Sequence, residues 1–303
     1  MTSLWRTWPG RIGTVLVGVI TVSALLSLVW TPYDTGKIVP ADKWLPISWR
    51  HPFGTDGAGR DLLSLVIDGS RTTLFVAIAS AAIAAVIGLA LGTASAVAPR
   101  WLGEVLINVI DVLIALPVLI LALILVAALE GSVWTVALAI GLGSGVVLAR
   151  VVRGEASRVL TQDYILTARA CGSSTWRTVW RHVVPNISST VIVQLSLIAA
   201  LAVLAEAALS FLGLTPLSTP SWGRMLENLQ QTVTVHPGAL VFPGLAVLTA
   251  TLGFNLLGDG LRDAVDPRLR TRSAAPSPVF SAVLAPADPA RTDRPTTGRA
   301  RQR

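Results

Sequence analysis

The side chains in this sequence that could do chemistry are few, and their positions restrict what they can do. Three histidines (His51, His182 and His236) and one cysteine (Cys171) are the candidate metal ligands and nucleophiles. A single cysteine makes neither an intrachain disulfide nor a multi-cysteine metal site. The histidines fall in three separate connecting segments and do not converge on one metal within one copy. Histidine followed by proline, in HPFG (51–54) and HPGA (236–239), reads as turn structure. The only lysines, Lys37 and Lys43, stand outside any G-x-x-x-x-G-K-[ST] phosphate loop, so the usual means of binding ATP is missing. H-E-x-x-H is also missing, and no histidine lies well inside an apolar run, where an intramembrane serine protease would need one. No catalytic residue, cofactor or metal site is expected. Two carboxylates stand out, Asp111 and Glu206, each within a long apolar run. Ionisable groups at such depth are costly. Substrate contact, gating and structural pairing are all open for both. Asn255, in the last run, reads as an interhelical hydrogen bond.

The elements that must position these groups follow from composition. Hydrophobic residues make up 52% of the 303 and charged residues only 14%, against about 25% charged in a soluble domain. A bilayer core of roughly 30 Å needs about 20 apolar helical residues. Six stretches meet or approach that length: Ile12–Trp30, Thr72–Ala98, Val105–Leu129, Val133–Val152, Ile187–Leu212 and Val235–Gly258. β-Barrel strands would be shorter and alternate in and out, so the expected fold is all-α, a polytopic membrane protein with six transmembrane helices. The first run is too long for a signal-peptide core and reads as an uncleaved span.

With the N-terminus inside, 18 of the 24 Lys+Arg fall on the inner side. This positive-inside bias fixes a multi-pass cell-membrane topology with both termini cytoplasmic. The net charge of +7 is then a topology signal, and no nucleic-acid partner is expected. The chain divides into a cytoplasmic N-terminus (1–11), a first span with its outer loop (12–71), and a core transmembrane domain (72–260) with a cytoplasmic loop at 153–186. A cytoplasmic tail (261–303) follows, rich in Pro, Ala, Arg, Ser and Thr and disordered after 270. Membrane lipid is an expected contact throughout. In the outer loop, Asp61–Asp68 reads as a short helix lying flat at the interface. Gly88-x-x-x-Gly92 and Gly141-x-x-x-Gly145 read as close helix packing, and Pro117 as a kink.

The best-organised polar stretch is TQDYILTARACGSSTWRTVWRHVVPN, Thr161–Asn186. Thr161 is expected to cap a helix that runs to Cys171, with Gly172 in the left-handed conformation just past its end. Ser173 or Ser174 then caps a second helix carrying Trp176, Val179, Trp180 and Val183 on one face, and Pro185 marks the next span. The product is helix, elbow, helix. Such a segment can lie at headgroup level or dock in a partner's cleft, and a DNA-binding helix pair is excluded by its membrane tether.

Gly172, nine intervening residues, then His182-Val183-Val184-Pro185 resembles the EAA loop of ABC importer permeases, E-A-A-x-x-x-G-x9-I-x-L-P. HPFGTDGAGRDLLS (51–64), AEAALSFLGL with TPSWGRML following (205–226), and FPGLAVLTATLGFNLLGDGLRDAVDPRLR (242–270) resemble the dipeptide/oligopeptide/nickel branch. The likeness covers roughly residues 10–270. It implies a type I ABC importer permease fold, with the elbow residues Leu166, Thr167, Ala168, Gly172 and Pro185 in the loop that couples to the ATPase. The implied partners are a second homologous permease, two ABC ATPase subunits and an extracytoplasmic substrate-binding protein. The implied activity is ATP-driven uptake of dipeptides or oligopeptides, with nickel or haem as alternative cargo. One position departs from the pattern: Leu166 stands where the loop glutamate belongs, so ionic docking there is lost. An ion-coupled secondary transporter is the rival class, but no run carries a central acidic residue and no internal repeat is evident.

Overall fold

A computed structural model describes residues 7–129, 131–216 and 218–265. Helix α1 (Trp8–Leu26) begins where Thr7 Oγ1 accepts the Gly10 N–H and Pro9 fills a first-turn position that needs no donor. It therefore starts four residues before the apolar run from Ile12. Trp8 opens this helix and Trp30 lies just past its end, both exposed; its 19 residues span about 28 Å, close to the thickness of a bilayer core.

The short interfacial helix expected at Asp61–Asp68 does not exist separately. Asp61 caps helix α2 (Leu62–Val97), and Asp68, Ser70 and Arg71 lie within its 36 residues. Polar residues ended the hydropathic run without ending the helix, because none of them breaks the backbone ladder. At about 54 Å, α2 projects well beyond a bilayer core.

The third run is broken at its proline. Helix α3 (Arg100–Ile114) and helix α4 (Val118–Ala128) meet at 79° across Ala115–Pro117. Pro117 lacks an N–H, and the residue before it is driven from helical geometry. Helix α5 (Val133–Leu160) returns, eight residues longer than its apolar run. Helix α6 (Asp163–Ala170) and helix α7 (Thr175–Thr178) form the elbow. A wide π turn (Val179–Val183) then joins α7 to helix α8 (Val184–Phe211). Helix α9 (Trp222–Gln230) is short and capped by Ser221, and helix α10 (Val241–Val265) ends the described chain. Among the described residues the protein is all-α, with one isolated bridge, Thr55–Asp61. Five helices among the described residues are long and apolar enough to cross a membrane, six if α3 and α4 form one bent span. The tail expected to be disordered after 270 lies outside the described residues.

Both glycine pairs lie at the contact of α2 with α5, each facing branched side chains of the other helix. A Cβ on Gly92 of α2 would sit 2.6 Å from the Val152 side chain, and one on Gly145 of α5 would sit 2.9 Å from that of Ile87. Close approach of these two helices builds the centre of the bundle, around Ala84, Ile140, Leu148 and Val152. Helix α10 packs on α1 and α8. The bundle therefore has an elbow end, holding residues 161–178, and a loop end, holding residues 31–61 and α9.

Candidate functional site

Among the described side chains of α6, Ile165 is the one buried in the bundle, and Tyr164 meets His182 edge-on at 6.3 Å. Ile165 is fully buried among Val159, Leu160, Val183 and Ile187, which joins the elbow to the end of α5 and the start of α8. Its neighbours point the other way. Leu166 is 54% exposed, Thr167 is exposed with its hydroxyl turned back to the Asp163 carbonyl (3.0 Å), and Ala168 is half-buried. Thr161 does not cap this helix. Its hydroxyl donates to the Arg158 carbonyl (2.9 Å), so it closes α5 instead, and α6 begins two residues later.

Gly172 has φ +83°, a conformation that costs an L-residue about 1–2 kcal/mol. There the Ser173 N–H reaches the Ala168 carbonyl (3.0 Å) and the Cys171 N–H the Thr167 carbonyl (2.9 Å). This is the Schellman-type end that satisfies the last carbonyls of a helix. Ser174 Oγ then accepts the Arg177 N–H, which starts the second helix. The expected four-residue apolar face of that helix is split. Val179 and Val183 are buried in the bundle, whereas Trp176 and Trp180 are exposed, in edge contact at 5.4 Å. The two rings wall a groove of ≈ 610 Å³ against Leu89, Ala90 and Val97 of α2.

The second helix does not stop at Pro185. The Val184 N–H bonds to the Val179 carbonyl, one residue further back than in an α-helix. This wide turn makes room for the proline ring, which would clash with the carbonyl four residues earlier. Residues 175–211 consequently form one continuous rod. Leu166, Thr167, Ala168 and Gly172 lie together at the tip, and Pro185 sits apart, exposed at the base.

The two carboxylates have different surroundings. Asp111 Oδ1 pairs with Arg150 Nη1 of α5 at 3.3 Å, with 43% and 59% of the two side chains exposed. Glu206 is 1% exposed. It accepts from Ser210 Oγ (2.7 Å) and Thr73 Oγ1 (3.3 Å), and Thr215 donates to Ser210 in turn. Glu206 thus ties α8 to α2 near the loop end.

The loop end holds a network that the sequence did not reveal. Asp61 Oδ2 accepts the Ser64 N–H and hydroxyl, and His51 Nδ1 lies 3.0 Å from Asp61 Oδ1. His51 stacks on Tyr33 and His236 on Trp44. Asp56 receives the Arg60 guanidinium, and Trp222, buried, donates its indole N–H to the Val66 carbonyl (2.8 Å). A cavity of ≈ 280 Å³ opens among Asp56, Arg60, Asp68, Ser221 and Arg224. The turn signals in HPFGTDGAGRD marked a bend here, but partners this distant in sequence leave no local trace.

Comparison with known proteins places these features in one family. Residues 84–271 match the model of the binding-protein-dependent transport system inner membrane component. The chain is 33% identical to the oligopeptide transport system permease protein of Bacillus subtilis, over 86% of this chain and 85% of that one. It is 35% identical to the di/tripeptide transport system permease protein of Pseudomonas aeruginosa (86% and 89%) and 31% identical to the dipeptide transport system permease protein of Alkalihalophilus pseudofirmus (86% of each). The family match spans the elbow, the helices that carry it and the buried carboxylate of α8, and this chain belongs to the binding-protein-dependent transport system inner membrane components, the permease subunits of ABC importers.

Proposed function

We propose that the chain forms half of the transmembrane path of an ATP-driven importer of peptides, and that the elbow at 161–185 is where separate ATPase subunits act on it. The observation that carries this reading is the build of the elbow: Ile165 fixed in the bundle, with Leu166, Thr167 and the Gly172 hinge presented outward. Peptide as cargo is supported by the names of the relatives. The elbow end is cytoplasmic by the distribution of arginines, and the loop end faces an extracytoplasmic binding protein. A second, similar permease completes the path.

The chain has no phosphate loop of its own, so the work must enter by contact. ATP binding closes the ATPases and displaces the docked elbow. Because residues 175–211 are one rod, displacement of α7 passes directly into the span formed by α8. This is reorientation through rigid elements. Leu166 in place of the loop glutamate means that docking rests on shape and apolar contact, with Arg177 and Arg181 exposed at the rim. Asp163, Tyr164 and the arginines do no chemistry in this scheme. Glu206, enclosed by Thr73 and Ser210, holds α8 on α2 and does not touch cargo.

Reconstitution in vesicles with the second permease, the ATPases and a binding protein tests the reading. Uptake of a di- or oligopeptide should require ATP and all subunits. Uptake by this chain alone under an ion gradient would overturn it.

A further inference from the structure

Four ionic side chains border the loop-end cavity of ≈ 280 Å³: Asp56, Arg60, Asp68 and Arg224. Two of them satisfy each other. Asp56 Oδ2 accepts from Arg60 Nε and Nη2, both at 2.8 Å, and Asp56 Oδ1 accepts the N–H groups of Ala58 and Arg60. The other two keep unused capacity. Only 12% of the Arg224 side chain is exposed, yet among the described residues its guanidinium makes no hydrogen bond. Its ion-pair partner, Glu227 Oε2, lies 3.7 Å from Nη1. Asp68 Oδ2 accepts from Thr35 Oγ1 (2.8 Å), but Arg71 Nη1 stands 3.9 Å from Asp68 Oδ1. Both ion pairs are too long for a hydrogen bond.

A ligand suited to this cavity must answer a cation and a carboxylate together. A carboxylate brought to Arg224 makes charge-assisted hydrogen bonds that the chain itself does not supply. The positive end of α9, which follows Ser221 on the cavity wall, favours the same charge. An ammonium brought to Asp68 Oδ1 uses the remaining acceptor, whereas a bare anion such as phosphate leaves it unmet. Thr219 and Asn228 add a hydroxyl and an amide, and Leu62, Leu65 and Met225 add apolar surface. The volume falls just below the ~300–1,000 Å³ of small-molecule sites, which suits a peptide of about two residues.

We propose that this cavity is a receiving site for a short zwitterionic peptide, with its terminal carboxylate on Arg224 and its ammonium on Asp68. It stands at the end of the bundle where cargo arrives, and it rests on the peptide-importer reading above. Arg224 and Asp68 thereby become binding residues.

Saturation-transfer NMR on the permease–ATPase complex in nanodiscs, without the binding protein, tests this with dialanine as the probe. Dialanine should bind, and either amidation of its carboxyl or acetylation of its amine should raise the apparent Kd about tenfold or more. Arg224→Gln should weaken dialanine to the same degree and abolish the preference for the free carboxyl. Asp68→Asn should abolish the preference for the free amine. Arg224→Lys should keep part of the affinity, since it retains the charge without the planar fork. Thermal melts check the fold of each variant, and the comparison of the three ligands on the parent complex decides even where a variant does not fold. Absence of dialanine binding, equal affinity for dialanine and its amide, or unchanged affinity in a folded Arg224→Gln complex would overturn the proposal. So would an Arg224→Gln complex that loses only its hold on the binding protein. ATP-driven dialanine uptake by the full complex is measured alongside; its absence would reject the importer reading, whereas uptake without binding at Arg224 would reject only the cavity.

Discussion

At the loop end, Asp61 receives the Ser64 N–H, the Ser64 hydroxyl and His51, while Trp222 is buried with its indole N–H on the Val66 carbonyl. At the elbow end, Ile165 is the one buried residue among the described side chains of α6, and Leu166, Cys171, Trp176, Arg177 and Arg181 are exposed. Both ends connect membrane spans, but they are stabilised differently. The loop end spends its polar groups on internal partners, so it keeps a fixed shape with a small polar cavity. The elbow keeps a defined bend through Gly172 and leaves its surface unused. A surface that is shaped but unsatisfied within its own chain is what a docking element needs, and the contrast teaches that rigidity and interaction are divided between the two ends.

Substitutions that break this contrast should separate stability from coupling. Trp222→Ala should have the largest effect on the fold, about 3–5 kcal/mol from lost burial and the cavity left behind. Thermal unfolding in detergent is the readout, and a change below about 1 kcal/mol would show that the loop end is not a fixed unit. Asp61→Ala comes next, at roughly 2–3 kcal/mol, because it removes the cap of α2 and leaves His51 without its partner. The same melts should show Asp61→Asn milder than Asp61→Ala, since the amide still accepts the Ser64 N–H.

Gly172→Val belongs to the other class. Forcing a β-branched residue to φ +83° reshapes the elbow at a local cost of about 1–2 kcal/mol, with the melting of the bundle little changed. ATP-driven uptake should nevertheless fall about tenfold, within the 1–3 kcal/mol typical of coupling between sites. Unchanged uptake would remove the hinge from the mechanism. Smallest on stability is Leu166→Glu, within about 0.5 kcal/mol at this exposed position. If the glutamate of the loop pattern docks ionically, this variant tightens ATPase binding and makes it salt-sensitive, whereas the parent complex is salt-insensitive at that contact. Co-purification across a salt series checks this.

The parts of this arrangement legible in the sequence are those with local causes. Apolar runs located the five long helices and the bent α3–α4 pair, Gly172 and Ser174 gave the bend and the second cap, and Pro117 gave the break, though not its 79°. Hydropathy found the start of α5 and, to within one residue, the ends of α2, α4 and α8, but it misjudged other helix ends. Residues Arg153–Leu160 of α5 and Leu62–Arg71 of α2 are helical but not lipid-like, because a helix need not stop at the membrane surface. Thr161 looked like a cap for α6 since it precedes Asp163, but the turn before it competed for its hydroxyl. The surroundings of Glu206 were out of reach for another reason. Thr73 lies 133 positions away, and nothing in either neighbourhood specifies the pair.

The most direct test places a photocrosslinking amino acid at Leu166 on the elbow, and at Ile47, which is exposed at the loop end, in the complete complex under ATP. The elbow position should yield an adduct with an ATPase subunit, and Ile47 should yield none. Adducts from Leu166 to lipid alone, or an ATPase adduct from Ile47, would contradict the assignment of the elbow as the point where force enters the membrane domain.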